Sequence, residues 1–297
     1  MPKGRQKPWF VFFLFFLCLW PSGGAGAEEK NRGGEGLPAV VFSDLEDERL
    51  KKEILEKLGE YWKTLTGETR LAIRQVEFVS DRYAEENLGW DPQNDGEGLP
   101  GGYLVSRANE RFHFRVFRHE AAHERHYAVR REEETRALKS KEAAEIRKLM
   151  VETPDRAGEL QKRYMQALHH SPFEEAWQAI AGDVYGKVSF LNGDGFWMWK
   201  EFEGMTKEQV ESAAAQKGKQ HVYGPRHGCL RPYGCSSLLE DVATFVDKID
   251  EPSFYAPLVD PKGVGRDDRY KRKLELFREY RFISDEEFRK IMEAARR

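Results

Sequence analysis

An uninterrupted helical stretch constrains the fold of this chain more than any other feature. Between Gly102 and Pro154 there is no glycine and no proline, the residues that most often interrupt a helix. From about Asn109 the stretch is first apolar and aromatic, and from Glu124 to Lys148 it is densely charged. We expect a long helix whose apolar beginning faces the core and whose charged continuation is solvated.

Helical periodicity recurs elsewhere in the chain, whereas strand patterns are few and short. Apolar residues stand at helical spacing in residues 43–64, 236–247, 267–281 and 285–295. Short strands are expected at Arg74–Val79 and Tyr103–Val105, and the Gly- and Pro-rich residues 91–102 are expected to form a loop. The sequence therefore predicts a single, mainly helical α+β domain in residues 28–297 with a small β-sheet.

Two histidines stand four residues apart within the long helix, in the motif His119-Glu120-Ala121-Ala122-His123. On a helix this spacing places both imidazoles on one face, a turn apart, where they can share a metal ion. Two imidazoles, a carboxylate and an open fourth position are typical of a hydrolytic zinc site. Glu120 can lie beside the metal and take a proton from its bound water. The motif therefore predicts Zn²⁺ held by His119 and His123, with Glu120 as general base.

The motif alone does not identify the third protein ligand. Glu142, Glu174 and Glu175 follow the motif and are candidates. Glu240 is a further candidate, within the otherwise largely apolar helical pattern of residues 238–245. A carboxylate in such a stretch is costly to bury unless it is paired or bound to a cation. This argument favours Glu240 without excluding the others.

The segment Tyr233–Phe245, taken with the histidine motif, resembles the active-site segments of the gluzincin metallopeptidases similar to the catalytic domain of anthrax lethal factor. In that family a metal-binding Glu opens a Glu-x-x-Ala-like helical stretch that ends in aromatics, and a tyrosine seven residues earlier points at the substrate oxyanion. Tyr233 and Glu240 stand at that separation. The resemblance implies a zincin-like fold, Glu240 as third ligand, Tyr233 as oxyanion donor and a helical insertion between the two active-site helices.

The N-terminus has the order of a secretory signal peptide. Three basic residues precede the apolar run Trp9–Trp20, and small residues follow up to Ala27. The run is shorter than the roughly 20 residues that a membrane span needs, although a retained anchor is the alternative. We predict a signal peptide in residues 1–27 and a secreted or periplasmic mature protein.

Two cysteines, Cys229 and Cys235, remain after removal of the signal peptide. In an oxidising compartment an even pair at this spacing predicts a local disulfide, and two reduced thiols are the alternative.

The sequence as a whole predicts an exported zinc metallopeptidase that acts on a peptide or protein substrate. Lys and Arg (48) nearly balance Asp and Glu (51), so the charge gives no reason to expect nucleic acid or an acidic membrane surface as partner. Tyr103–Val105, just ahead of the metal helix, is expected to be the edge strand that pairs with an extended peptide. The alternative is a non-catalytic exported protein that binds zinc or a partner through a degenerate zincin fold.

Overall fold

A computed structural model describes the greater part of the chain after residue 35. The described residues are 31–32, 36–92, 94–109, 112–186, 188–191, 196–199, 206, 208–209, 212, 228–259 and 268–296. The predicted signal peptide, residues 1–27, lies outside them. Within the described residues, no helix is both long enough and apolar enough to cross a membrane.

A five-stranded mixed sheet forms the β part of the fold, in the strand order β1-β2-β3-β5-β4. Its strands are β1 (Asn31–Arg32), β2 (Ala39–Ser43), β3 (Gln75–Val79), β4 (Gly96–Leu99) and β5 (Tyr103–Arg107). The central strands β2, β3 and β5 run parallel, whereas β1 and β4 are antiparallel to their neighbours. A separate two-stranded hairpin joins β6 (Val188–Leu191) to β7 (Phe196–Trp199).

The prediction that Tyr103–Val105 forms the edge of the sheet is wrong. Strand β5 lies between β3 and β4, and β4 occupies the edge. Strand β4 falls in residues 91–102, whose glycines and prolines had indicated only a loop. The glycines at positions 96 and 98 mislead because they stand in a strand that passes close to a helix, where a side chain would collide.

Helices make up most of the described structure, which confirms the prediction of a mainly helical α+β fold. They are α1 (Glu48–Thr64), α2 (Gly67–Ala72), α3 (Asp81–Asn87), α4 (Phe114–Leu138), α5 (Lys141–Glu152), α6 (Ala157–Leu168), α7 (Pro172–Ala181), α8 (Leu238–Phe245), α9 (Pro252–Val259), α10 (Arg269–Glu279) and α11 (Asp285–Ala294). The described residues between α4 and α8 include the α-helices α5, α6 and α7 and the β6–β7 hairpin, so helical and hairpin structure separates these two elements.

Helix ends follow the local sequence. Asp47 caps α1 by accepting the backbone N–H groups of Arg49 and Leu50, so this helix begins later than the periodicity from residue 43 suggested. Ser284 and Glu287 form a capping box at the start of α11.

The long helix α4 lies between two hydrophobic clusters. Ala121 belongs to the cluster that α1 forms with the sheet, and the adjacent Ala122 belongs to the cluster of helices α7 to α11. Small side chains at these two positions let α4 approach both clusters closely. The histidine motif on α4 is therefore held in the middle of the fold, where α8 packs against α4.

Candidate metal centre

His119 and His123 lie one helical turn apart on α4, and both are buried. Their Nε2 atoms are 3.2 Å apart and their ring centroids 4.8 Å apart. Both rings therefore direct the same nitrogen into one shared space, as the helical spacing predicts.

Glu240 adds a carboxylate to this pair from the first turn of α8. Its Oε2 lies 3.2 Å from Nε2 of His119 and 3.7 Å from Nε2 of His123. Ser237 fixes the start of α8, because its hydroxyl accepts the backbone N–H of Glu240 at 3.2 Å. The ligand atoms of His119, His123 and Glu240 lie within 4.8 Å of one another, and among the described residues they form the one group suited to hold a metal ion.

The structure places the other candidate ligands elsewhere. Glu174 lies 2.9 Å from His126 and 3.4 Å from Arg130, beyond the histidine pair along α4. Glu175 is exposed and pairs with His170 at 3.4 Å. Glu142 stands exposed in the first turn of α5. Of the four carboxylates, only Glu240 joins the two histidines.

The two imidazoles of the pair have pKa values that are shifted in opposite directions. Burial disfavours a charged imidazole at His119, yet hydrogen bonds to Asp247 and Glu240 outweigh burial and raise the pKa of His119 to about 10. Burial and the neighbouring His119 lower the pKa of His123 to about 3. The carboxylates around the pair therefore favour a positive charge in the space between the two imidazoles, which is the electrostatic environment that a bound cation requires.

Glu120 follows the first histidine and lies outside the three-residue group. It is buried, and burial together with the charge of Glu240 raises the pKa of the Glu120 carboxyl to about 7, against the charge of His119 and the backbone N–H of Gly98. A carboxyl with such a pKa can both accept and release a proton near neutral pH.

Strand β4 passes directly over α4, the helix that carries the histidine pair. A Cβ atom at Gly98 would lie 3.0 Å from Cβ of His123 and 3.1 Å from the carbonyl oxygen of Glu120. A Cβ atom at Gly96 would lie 3.2 Å from Cγ of Glu120. Both glycines face α4, since they stand two positions apart in the strand. Only a strand without side chains on this face can lie so close to the motif.

Tyr233 lies beside the first histidine of the pair. Its ring stacks on the imidazole of His119, with centroids 6.0 Å apart and an interplanar angle of 30°. Its hydroxyl bonds to the side chain of Glu240, and burial and that carboxylate raise the pKa of the phenol well above its usual value. Tyr233 is therefore a protonated hydroxyl group at the edge of the three-residue group.

Cys229 and Cys235 form the predicted disulfide, with Cα atoms 5.8 Å apart, and both are fully buried. The disulfide closes a short loop that contains Tyr233 and continues through Ser236 and Ser237 into α8. The covalent ring therefore stands directly before the helix that carries Glu240.

Asp247 is a site residue that the sequence analysis missed. It follows α8, is buried, and its Oδ1 lies 3.1 Å from Nδ1 of His119. Its Oδ2 forms an ion pair with Arg231 from the disulfide loop. The sequence signal was weak, since an acidic residue near a helix end is usually solvated.

Comparisons of this chain with protein-family models, with curated proteins and with solved structures find no match.

Proposed function

We propose that this chain is an exported zinc metallopeptidase that hydrolyses peptide bonds. The observation that carries the proposal is the convergence of His119 and His123 on α4 with Glu240 on α8, while Glu120 stands beside them and outside the group. Two imidazoles and a carboxylate leave one position of a tetrahedral metal open, which is the arrangement of hydrolytic rather than structural zinc.

The spacing of the donor atoms is compatible with zinc. Ligands about 2.0–2.1 Å from a tetrahedral zinc ion lie about 3.3–3.4 Å from one another. The three donor-to-donor distances, 3.2, 3.2 and 3.7 Å, match this spacing. The site therefore needs little rearrangement to take the ion, and two neutral imidazoles with one carboxylate are donors that zinc accepts.

Bound zinc would lower the pKa of a coordinated water to about 7 and polarise the substrate carbonyl. Glu120 supplies the proton chemistry, because a buried carboxyl with a pKa of about 7 accepts a proton and later releases it to the leaving amine. Tyr233 keeps its phenolic proton and so can donate a hydrogen bond to a developing oxyanion.

Strand β4 is the element that a peptide substrate would join. It lies at the edge of the sheet, antiparallel to β5, and it runs past Glu120 and His123. An extended peptide that adds to its outer edge would cross the histidine pair while its backbone forms strand hydrogen bonds. This role, expected from the sequence for Tyr103–Val105, is assigned here to Gly96–Leu99.

Export is supported by the disulfide between Cys229 and Cys235, since disulfides persist in oxidising compartments. It is supported also by the signal-like order of residues 1–27.

Metal analysis is the first test. The purified mature chain should carry about one zinc ion per molecule, and His119→Ala or His123→Ala should remove it. Circular dichroism of both variants checks that the fold survives. Full zinc occupancy in both would place the metal elsewhere and defeat the proposal.

Turnover separates a peptidase from a non-catalytic zinc-binding protein, because both would hold zinc. A labelled, unfolded protein substrate should be cleaved, a chelator should stop cleavage and added zinc should restore it. Glu120→Gln should keep zinc and lose cleavage, since it removes the proton acceptor and leaves the ligands in place. Glu134→Gln, on the same helix, is the matched control. Cleavage undiminished in Glu120→Gln would show that another protein contaminates the preparation or that the mechanism is different.

A further inference from the structure

One continuous segment, residues 229–247, supplies three groups that meet His119 of α4. It begins with the disulfide loop, defined here as residues 229–235, and continues through α8 to Asp247. Its groups reach the same histidine from different sides. Tyr233 stacks on the ring of His119, Glu240 meets its Nε2 and Asp247 meets its Nδ1.

The contact between Asp247 and His119 sets the orientation of the imidazole. When His119 binds a metal ion it must be a neutral imidazole. A proton on Nδ1 then lets it donate to Oδ1 of Asp247 at 3.1 Å, and the lone pair of Nε2 is directed at the space shared with His123 and Glu240. Outer carboxylates that hold a metal-binding imidazole in this way typically change metal affinity about 10- to 100-fold when they are removed.

Arg231 is the residue that holds Asp247 in turn. Its guanidinium forms an ion pair with Oδ2 of Asp247, whose side chain is 5% exposed, while the Arg231 side chain is 41% exposed. The guanidinium also lies over the ring of Tyr233, 5.6 Å from its centroid. A nearly buried carboxylate needs a cationic partner, and Arg231 provides one from inside the disulfide loop.

We propose that Arg231 and Asp247 are a positioning pair through which the disulfide loop orients His119 and strengthens metal binding. The pair links three points of the site: the loop that carries Tyr233, the end of α8 and the outer nitrogen of His119. The inference rests on the metal centre of the proposed function and adds a role for Arg231. Neither residue touches substrate in this role, so both are positioning residues and not catalytic ones.

Zinc affinity of the folded protein tests the pair without any use of turnover. The test variants are Asp247→Asn and Arg231→Gln. The matched control for the first is Asp250→Asn, at an exposed aspartate three residues after Asp247. The matched control for the second is Arg289→Gln, on the exposed face of α11. Competition with a chromophoric chelator gives the zinc dissociation constant. It should rise about 10- to 100-fold for Asp247→Asn, somewhat less for Arg231→Gln, and stay unchanged in both controls.

The double variant tests whether the two residues act as a unit. Because Arg231 acts through Asp247, Arg231→Gln should add little to the loss already caused by Asp247→Asn. The visible spectrum of the cobalt-substituted protein should shift in both single variants, whereas a merely structural role would lower the stability of the metal-free protein and leave that spectrum unchanged. Arg231→Lys, which keeps the charge, should recover part of the affinity.

Unchanged zinc affinity in both single variants would overturn the inference, and so would losses that simply add in the double variant. Failure of the proposed function has a different signature. If the wild-type protein binds zinc and the variants bind it weakly, the pair stands even when no peptide is cleaved. If the wild-type protein binds no zinc, the pair and the proposed function fail together.

Discussion

The ring of Tyr233 stacks on the imidazole of His119 at a centroid distance of 6.0 Å, and its hydroxyl reaches the carboxylate of Glu240. The tyrosine thus contacts two residues of the candidate metal group without being part of it. A hydroxyl so placed can serve the substrate, whereas its loss leaves the donor atoms in position.

Tyr233→Phe should therefore keep the fold and the zinc and slow turnover on the order of 10²-fold, the usual effect of removing one oxyanion donor. Steady-state kinetics on the labelled substrate measure the change, which should lie in kcat. The same substitution at Tyr164, a partly exposed residue of α6, is the control. A variant with wild-type kcat would remove the oxyanion role of Tyr233 and weaken the resemblance to the lethal-factor-like gluzincins.

Glu240→Ala should lower zinc affinity sharply, because it removes one of the three proposed protein ligands while the two imidazoles remain. Glu142→Ala and Glu175→Ala should leave the zinc content unchanged, since the structure places both carboxylates on the surface, away from the histidines. Metal analysis after dialysis against a weak chelator distinguishes them. Zinc lost from Glu175→Ala and kept by Glu240→Ala would reverse this assignment.

Local spacing explains which parts of the site the sequence could predict. The relation between His119 and His123 depends only on the helix that carries both, and Tyr233 and Glu240 stand within one short segment. The contact between His119 and Asp247 joins residues 128 positions apart. Nothing in the local pattern of Asp247 indicates that contact, because it arises when α8 packs on α4. Tertiary packing decided what spacing could not.

Strand β4 shows a second limit of sequence patterns. Glycine and proline usually mark loops, so residues 91–102 predicted a loop and Tyr103–Val105 an edge strand. In the structure the glycines at positions 96 and 98 permit a strand to lie against α4. The reason for glycine at these positions is the close contact with α4. That helix follows later in the chain, and only the folded structure brings β4 and α4 together.

Gly98→Ala should test that close approach. The added methyl group would meet His123 and the backbone of Glu120 at about 3 Å, so β4 or α4 must shift. Overpacking of this kind costs about 1–3 kcal/mol in the free energy of unfolding. Turnover should fall as well, because β4 lies over the residues that we propose act on the substrate. Gly59→Ala in α1 is the control, since a Cβ there meets nothing within 4 Å. Denaturant unfolding and kinetics of both variants decide the matter, and equal behaviour would show that β4 moves freely.

Lys273→Met should destabilise the cluster formed by helices α7 to α11. The ammonium of Lys273 lies 2.5 Å from Oδ2 of Asp241, and both side chains are fully buried. Trp177 and Tyr185 each donate to the same oxygen at 2.8 Å. Removing one partner of a buried ion pair typically costs about 3–5 kcal/mol, since the other charge stays uncompensated.

The loss of Lys273 should reach the metal centre, because Asp241 adjoins Glu240 in α8. Denaturant unfolding measures the stability change, and zinc titration measures the effect on the site. Lys271→Met, on the same helix and half exposed, should change neither quantity. A fully stable Lys273→Met variant would mean that the two donors suffice for Asp241.

In the metal-free protein, the stability of Glu124→Gln relative to that of the wild type should increase as the pH rises. Burial raises the pKa of the Glu124 carboxyl from 4.5 to about 8, although the backbone N–H of Gly102 and the charge of Arg131 oppose the shift. A carboxyl whose pKa is higher in the folded state stabilises that state fully below pH 4.5, and its contribution is lost as the pH rises to about 8. Glutamine stays neutral throughout. The stability of the variant relative to wild type should therefore increase across this window, by at most about 1.4 kcal/mol per pH unit, and level off above it.

Urea unfolding in the presence of a chelator, between pH 4.5 and 9, gives the two curves. Glu53→Gln, on the exposed face of α1, should run parallel to wild type, and a parallel curve for Glu124→Gln as well would show that Glu124 ionises normally in the fold.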